Sequence, residues 1–308
     1  MSEIIKIEDI KKYKTIDLPE LFDTLNFIVL DDGRYAYANR TDCTVNIIDP
    51  KNDFHCDIKL QLNSTGIIIA QLDKEMLHLF CSDFCAIYDV EKNKLHKIYQ
   101  NDYYIPHDEM ETYDGYHYAK FNGMVALSKD RFALYGNSWI DIKRKEINIS
   151  YDNFATFSFD SHVLSVNQLP GKENMIVGLS DGIVIYNLDD YKQIKKCEMK
   201  DVAASYLLSE EKMIMRIDTE LFIYNFVKEE KELKVDDIIF NICVSFLPLG
   251  NDQLLCGAIN MVLLDLKTMK FTRKEERYSQ NCTIMVPLGD RCIATWACGE
   301  ETFAFWKY

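Results

Sequence analysis

A phrase of three short strands, separated by turn residues, recurs seven times along this chain. In its clearest copy, residues 241–265, the runs ICVSFL, QLLCGA and MVLLD are each too short for a helix. Every copy ends its third strand on an apolar or aromatic pair followed by Asp, Asn or Lys, which we use as the anchor of that copy. The anchors are residues 47–49, 87–89, 139–141, 185–187, 223–225, 263–265 and 305–307. Repetition of this kind predicts one structural unit per copy.

The spacing of the anchors gives the period of the repeat. Successive anchors are 40, 52, 46, 38, 40 and 42 residues apart. A fourth and more polar run follows the anchors, for example at residues 54–60 and 193–199. Four short strands with a period near 40 are typical of a propeller blade, with the polar strand at its outer edge. We therefore predict an all-β chain, residues 1–308, that forms a single seven-bladed propeller of four-stranded antiparallel blades.

In this prediction the N-terminal residues supply the fourth strand of the last blade. The last anchor lies so close to Tyr308 that the seventh copy has no room for a fourth strand. Residues 12–18, KYKTIDL, precede the first copy as other fourth strands precede theirs. We expect this run to pair with residues 302–308, so that residues 1–18 close the ring and leave no open terminal edge.

The period, the four-strand phrase, the Asp in several hairpin turns and the N-terminal closure resemble the WD-repeat family of propellers over essentially the whole chain. The Gly-His pair of that family is absent from every copy, and its Trp-Asp position is filled by Ile-Asp, Tyr-Asp, Tyr-Asn, Leu-Asp or Trp-Lys. The buried His-Ser-Trp-Asp hydrogen-bond set of the family is therefore not expected here. The resemblance implies a platform that binds proteins.

Composition narrows the classes of partner. The chain is 48% hydrophobic and 27% charged, a globular balance, and its net charge of −14 repels phosphate backbones and anionic lipid. We expect neither nucleic acid nor a membrane as partner. Charged residues interrupt the N-terminal run, so we expect no secretory signal, and no apolar stretch is long enough to span a membrane. We therefore expect a cytoplasmic protein, with the nucleus as the alternative. In either compartment its ten cysteines should be reduced.

The longest interval between anchors contains a surplus, residues 100–120, which we call the insertion. In a propeller it lies in the connection from one outer strand to the next inner strand. Tyrosine buries a large area and keeps a polar tip, and the acidic residues around it favour a basic protein or peptide. The predicted partner-binding residues are Tyr103, Tyr104, His107, Glu109, Tyr113, Tyr116 and Tyr118. The alternative is a loop that folds back over its own propeller.

Two local motifs point to chemistry and are better explained by structure. Residues 178–182 match G-x-S-x-G, but the run that follows is a strand, whereas a hydrolase elbow needs a helix, so we predict a hairpin turn. Cys81 and Cys85 flank another turn, and no second cysteine pair exists to complete a zinc site, so we predict buried strand residues.

Catalysis would need groups that the sequence does not bring together. Asp201, Asp236, Asp237 and Glu276 lie near loops, but spacing alone does not show that they converge. We predict a non-catalytic scaffold or adaptor without a cofactor or metal, monomeric alone and part of a complex. The alternative is an enzyme or a propeller that binds a small ligand or metal in its central channel.

Overall fold

A computed structural model describes residues 4–17, 27–39, 43–62, 68–73, 76–81, 84–100, 112–113, 116–117, 123–128, 131–135, 145–149, 155–159, 161–243, 245–258, 260–274, 283–297 and 302–308. Regular structure within these ranges consists of β-strands and short 3-10 helices. The chain divides into two compact units, Glu20–Asp160 and a second unit that joins Met1–Pro19 to Ser161–Tyr308.

The unit Met1–Pro19 with Ser161–Tyr308 contains four antiparallel four-stranded sheets among its described residues. One sheet has the order β1-β30-β29-β28, and the other three follow the order of the chain. The strands of the first sheet are β1 (Lys11–Asp17), β28 (Thr283–Gly289), β29 (Cys292–Ala297) and β30 (Thr302–Lys307). Those of the others are β16 (Val163–Gln168), β17 (Asn174–Leu179), β18 (Gly182–Asn187), β19 (Gln193–Glu198), β20 (Val202–Leu207), β21 (Lys212–Ile217), β22 (Glu220–Asn225), β23 (Glu230–Asp236), β24 (Ser245–Gly250), β25 (Gln253–Gly257), β26 (Met261–Asp265) and β27 (Phe271–Arg273).

The unit Glu20–Asp160 contains three further four-stranded sheets in its described part, each in chain order, and one two-stranded hairpin. The sheet strands are β2 (Phe27–Val29), β3 (Tyr35–Asn39), β4 (Thr44–Asp49), β5 (His55–Gln61), β6 (Ile68–Asp73), β7 (Met76–Phe80), β8 (Phe84–Asp89), β9 (Lys94–Gln100), β12 (Gly123–Ser128), β13 (Arg131–Tyr135), β14 (Lys145–Ile149) and β15 (Ala155–Phe159). The hairpin consists of β10 (Thr112–Tyr113) and β11 (Tyr116–His117).

The sheet β12–β15 differs from the sequence prediction. We predicted its third strand at residues 139–141, which lie outside the described residues. The observed third strand is β14, where Ile149 is opposite Ala133, and the fourth is β15. The run KEINI begins with two charged residues and then places apolar residues on either side of Asn148, a polar content that suits a strand near a sheet edge.

The predicted pairing of the chain ends is present in the structure. β1 pairs antiparallel with β30, from Lys11 opposite Lys307 to Asp17 opposite Thr302. The strand begins one residue earlier than predicted, because Lys11 already has a partner. Its register shifts between Lys12 and Lys14, which is typical of a β-bulge.

The core lies between neighbouring sheets and is built by the second and third strands. Residues 213–216 of β21 are all buried, whereas most residues of the outer strand β23 are exposed. A strand buried on both faces has to be apolar at successive positions, and an outer strand does not. The cluster between the sheets β20–β23 and β24–β27 includes Ile214, Leu254, Phe246 and Phe240. This burial pattern explains why the sequence reads as apolar runs followed by a polar one.

The Asp or Asn of the anchors closes the turn into the fourth strand. The side chains of Asp49, Asn187, Asn225 and Asp265 each accept a hydrogen bond from the backbone N–H two residues later, at 2.8, 2.7, 3.1 and 2.9 Å. Asp89 accepts from Lys92 N at 2.8 Å. Short polar side chains favour turns through such bonds, which gives the anchor pattern a physical cause.

Serines at a regular interval link neighbouring inner strands. The hydroxyls of Ser165 in β16 and Ser205 in β20 lie 2.7 Å apart, and their separation in sequence is 40. Ser245, at the corresponding position of β24, accepts from Met285 N of β28 at 3.0 Å. A Cβ on Gly178 would collide with both Ser165 and Ser205. The first hydroxyl pair therefore requires glycine at position 178.

Residues 4–10, which we call the N-terminal strap, pack beside β1. Ile5, Ile7 and Ile10 are buried in a cluster with Leu263 and Trp306. The side-chain amide of Gln253 accepts from Ile5 N at 2.9 Å and donates to Ile5 O at 2.7 Å. The amide therefore satisfies both backbone groups of Ile5, as a neighbouring strand would.

Candidate protein-interaction surface

Two kinds of loop emerge at one end of each sheet. Consecutive antiparallel strands alternate in direction, so the turn between the second and third strands lies at the same end as the connection that leaves the fourth strand. We call this the connection end, and we call the opposite end of a sheet the turn end. The insertion predicted to bind a partner belongs to the connection end of the sheet β6–β9.

The insertion forms an extra hairpin in its described part. β10 and β11 pair antiparallel, with Tyr113 opposite Tyr116 and Thr112 opposite His117, and they belong to none of the four-stranded sheets. Two of the predicted site residues, Tyr113 and Tyr116, are therefore brought together. The other five lie outside the described residues: Tyr103, Tyr104, His107, Glu109 and Tyr118.

The connection from β23 to β24 presents an exposed apolar side chain. It contains a 3-10 helix, Ile238–Phe240, whose first turn is capped by Asp237, since its carboxylate accepts from Ile239 N at 3.0 Å. Ile238 is 73% exposed, whereas Phe240 is fully buried. The helix thus anchors itself in the core through one side and leaves Ile238 in solvent at the connection end.

Arg216, which sequence reasoning missed, holds this connection in place. The side chain extends from β21, is nearly buried, and donates hydrogen bonds to the backbone oxygens of Asp218, at 3.0 Å, and Asn241. It therefore ties the β21–β22 turn to the connection that follows β23. The signal available in the sequence was an arginine between Met215 and Ile217 in the otherwise apolar run MIMRI, because charged residues are rarely buried without partners.

The carboxylates at the connection end have local structural roles. Asp236 accepts from the Thr219 hydroxyl at 2.5 Å, Asp237 caps the 3-10 helix, and Asp201 occupies a turn with φ of 60°. Glu220 accepts from Lys231 and Lys234, and these hydrogen bonds lower its pKa. Glu276 lies outside the described residues. Within the described ranges no group of three or more His, Cys, Asp or Glu residues is arranged to hold a metal ion.

The G-x-S-x-G motif is a hairpin turn, as predicted. It joins β17 to β18, and β18 begins at Gly182. Ser180 Oγ accepts from His162 N at 3.0 Å, while Ser180 N donates to His162 O at 2.8 Å. The serine therefore fixes a neighbouring backbone segment, and its surroundings lack the strand-to-helix turn that a hydrolase nucleophile requires.

Cys81 and Cys85 were predicted to be buried strand residues. The structure confirms that Cys81 is buried and that Cys85 lies in a strand. Cys81 follows β7 and is fully buried, and Cys85 lies in β8 opposite Phe80. A separate pair, Cys243 and Cys256, is also fully buried, and burial raises the pKa of the Cys256 thiol. Such thiols behave as small apolar side chains.

Two pockets flank the sheet β24–β27 at its turn end. One, of about 530 Å³, lies between the N-terminal strap and residues that include Leu263 and Phe271. The other, of about 490 Å³, is lined by residues of two neighbouring sheets, among them Leu233 and Pro248. Their size would suit a small molecule. In the second pocket the charged wall residues pair with one another, Lys212 with Glu232 at 2.6 Å and Lys267 with Asp252 at 2.7 Å. No helix among the described residues is long and apolar enough to span a membrane.

Comparison with known proteins identifies the fold. No protein-family model matches the chain, and no curated protein sequence does. Among solved structures, the chain is similar to the β-propeller domain of Cps50 (Swd1) from Myceliophteria thermophila. The two share 10% sequence identity, the match covers 97% of this chain and 99% of that one, and the TM-score is 0.69. Together with its four-stranded antiparallel sheets, this likeness shows that the chain has the fold of a WD-repeat-like β-propeller.

Proposed function

We propose that this protein is a non-catalytic scaffold or adaptor that docks a protein or peptide at the connection end, through the insertion at residues 100–120. Propellers of this fold serve in general as protein-interaction scaffolds. The observation that carries the proposal is the hairpin β10–β11, which interrupts the repeat with a structured element outside the four-stranded sheets. Long structured loops on a rigid framework are common recognition sites.

The proposal includes a ring of seven blades closed by β1. Two observations support this ring. The described part of one unit contains three four-stranded sheets and that of the other unit contains four, and β1 pairs with β30. In such a ring the connection ends of all blades share one face. Within its own unit, the exposed Ile238 adds an apolar side chain at the connection end.

The partner chemistry follows from charge. The insertion carries five acidic residues among five tyrosines, in a chain of net charge −14. A basic segment is attracted by the carboxylates, and an arginine over a tyrosine ring contributes about 0.5–2 kcal/mol. We therefore propose a basic protein or peptide as partner, bound in the cytoplasm by a protein that is monomeric until it joins its complex.

The described carboxylates at the connection end give no geometric support to the competing function, an enzyme or a propeller that binds a small ligand or metal in its central channel. Asp236 and Asp237 are each occupied by a local hydrogen bond that stabilises a turn or a helix end. A catalytic site would instead need acid, base or metal-binding groups that face one substrate position. The carboxylates in the described connections are spread over separate turns.

A triple substitution of Tyr103, Tyr104 and Tyr113 to serine tests the proposal. Affinity purification from the native cell, with quantitative mass spectrometry, should show a set of partners that the triple variant loses. Raised salt should weaken the same complexes, because screening acts over about 8–10 Å. The melting temperature should stay near that of the unmodified protein.

Tyr13→Ser provides the matched control, since Tyr13 is half exposed and lies on β1, far from the insertion in sequence. This variant should keep every partner that the triple variant loses. If the triple variant loses stability and retains its partners, the insertion packs on its own propeller and the proposed site is wrong.

A further inference from the structure

Lysines are concentrated on the outer strand of the sheet that joins the chain ends. β1 reads KKYKTID, with Asp17 at its far end as its only acidic residue. It is the terminal strand in the order β1-β30-β29-β28, so one of its edges faces away from the sheet. Lys11 and Lys12 are both exposed. This strand therefore presents positive charge on the side of the molecule where solvent and partners have access.

Further lysines extend this positive surface. Lys11 is directly opposite Lys307 of β30, and Lys12 Nζ lies 5.7 Å from the centroid of the Trp306 ring. Lys274, from the end of the neighbouring sheet, donates to Ile10 O at 2.6 Å. We call Lys11, Lys12, Lys274 and Lys307 the β1 basic edge. Like charges opposite one another on paired strands are destabilising, so this arrangement has a cost for the free protein.

These lysines differ from others in the same unit. None of the four forms an ion pair with a carboxylate of the described residues. By contrast, lysines on the other sheets of this unit commonly pair. Such pairs join Lys192 to Asp190, Lys195 to Glu229, Lys212 to Glu232, Lys231 to Glu220 and Lys267 to Asp252, at 2.5–2.8 Å. Lys274 donates instead to the backbone oxygens of Ile7 and Ile10, so its ammonium is hydrogen-bonded without a carboxylate partner in a chain of 49 acidic and 35 basic residues.

We propose that the β1 basic edge is a second interaction surface, which binds an acidic segment of a partner protein. Carboxylates placed along β1 would offset the repulsion between Lys11 and Lys307 and would pair with Lys12 and Lys274. This surface goes beyond the proposed docking at the insertion, because it has the opposite charge. A scaffold with two oppositely charged surfaces can hold two different partners at once.

A protein segment fits this surface better than a nucleic acid. Nucleic-acid binding depends on many phosphate contacts, whereas this edge offers four lysines on a chain whose overall charge of −14 repels a long polyanion. Lysines also protect an edge strand from pairing with other chains. Edge protection alone does not predict that the lysines bind an acidic peptide, so a peptide-binding experiment separates the two roles.

The test uses a short fluorescent peptide of alternating glutamate and threonine, with glutamine in place of glutamate as the control peptide. The variant combines Lys11→Gln and Lys307→Gln. The control variant combines Lys192→Gln and Lys228→Gln, which removes two exposed lysines that already have carboxylate partners. Losing two surface ion pairs should weaken binding about tenfold, while the control variant binds as the unmodified chain does.

Several results would overturn this inference. They are equal binding by the Lys11/Lys307 variant, equal binding of the glutamine peptide, or tighter binding of a DNA oligonucleotide than of the acidic peptide. Displacement of the peptide by a second copy of the chain would make self-association the function of the edge. If the Lys11/Lys307 variant self-associates and still binds the peptide as tightly, the lysines serve only to protect the edge strand from pairing with other chains. The serine triple variant of the insertion should still bind the peptide, which separates this inference from the proposed function.

Discussion

Replacing Ile10 with alanine should measure how much the N-terminal strap contributes to the fold. Ile10 has no exposed surface and packs with Leu263 and Trp306 in the cluster beside β1. Truncating a buried isoleucine to alanine costs about 2–5 kcal/mol, because it removes apolar contacts and leaves a cavity. We expect a loss of about 3 kcal/mol in the free energy of unfolding. In a protein of this size that lowers the melting temperature by roughly 5–12 °C.

Urea denaturation followed by tryptophan fluorescence is a suitable assay, since Trp306 lies in the same cluster. Ile4→Ala is the matched control, because Ile4 belongs to the same strap and is 73% exposed. A surface truncation of that kind should change stability by less than about 0.5 kcal/mol. The reasoning is refuted if both variants unfold at the same urea concentration, since the strap would then contribute nothing through Ile10.

Three other substitutions test separate contacts. Gly178→Ala should lose about 1–3 kcal/mol by overpacking against Ser165 and Ser205, and adding Ser205→Ala should recover part of the loss in thermal unfolding. Lys307→Glu should gain about 0.2–1 kcal/mol at low salt, because it turns the like-charge pair with Lys11 into an opposite pair; a gain that persists in high salt would contradict this. Glu220→Gln should lose up to about 1 kcal/mol near neutral pH. The lowered pKa of Glu220 means that its stabilisation is present above the unfolded-state pKa and disappears as pH falls through the folded-state pKa, so a difference that persists in acid would exclude the ion pairs as its cause.

The strand pattern could be predicted because its signals are local. Residues such as Asp49 and Asp265 end a third strand and accept backbone hydrogen bonds within the next two residues, so the same chemistry recurs wherever the turn recurs. The sheet β12–β15 was assigned wrongly in its third strand. Its run KEINI begins with two charged residues and lacks the apolar or aromatic pair followed by Asp, Asn or Lys that serves as the anchor of the other copies.

Contacts between distant parts of the chain could not be predicted. Gln253 pairs with the backbone of Ile5 across 248 residues, and nothing near either residue indicates the other. Arg216 is a similar case, since its partner Asn241 belongs to the next connection. Trp306 donates to the Thr295 hydroxyl at 2.9 Å although no histidine of the family motif is present. Such pairs depend on how neighbouring strands and sheets pack, which spacing alone does not specify.

The sequence predicted which region of the chain contains the candidate site, but not how its residues are arranged. The break in period at residues 100–120 selected the connection in which the hairpin β10–β11 forms. The pairing of Tyr113 with Tyr116 across the hairpin is a finding of the structure, which the break in period does not reveal. Whether this hairpin binds a partner remains a prediction about its surface chemistry.

Hydrogen–deuterium exchange of the protein, alone and in complex with a partner captured by the unmodified chain and lost by the serine triple variant, tests the central claim most directly. We expect slower exchange of the amides of residues 112–117 in the complex, with little change at the turn-end pockets around Phe271 and Pro248. Protection at those pockets, with unchanged exchange in residues 112–117, would contradict docking at the insertion.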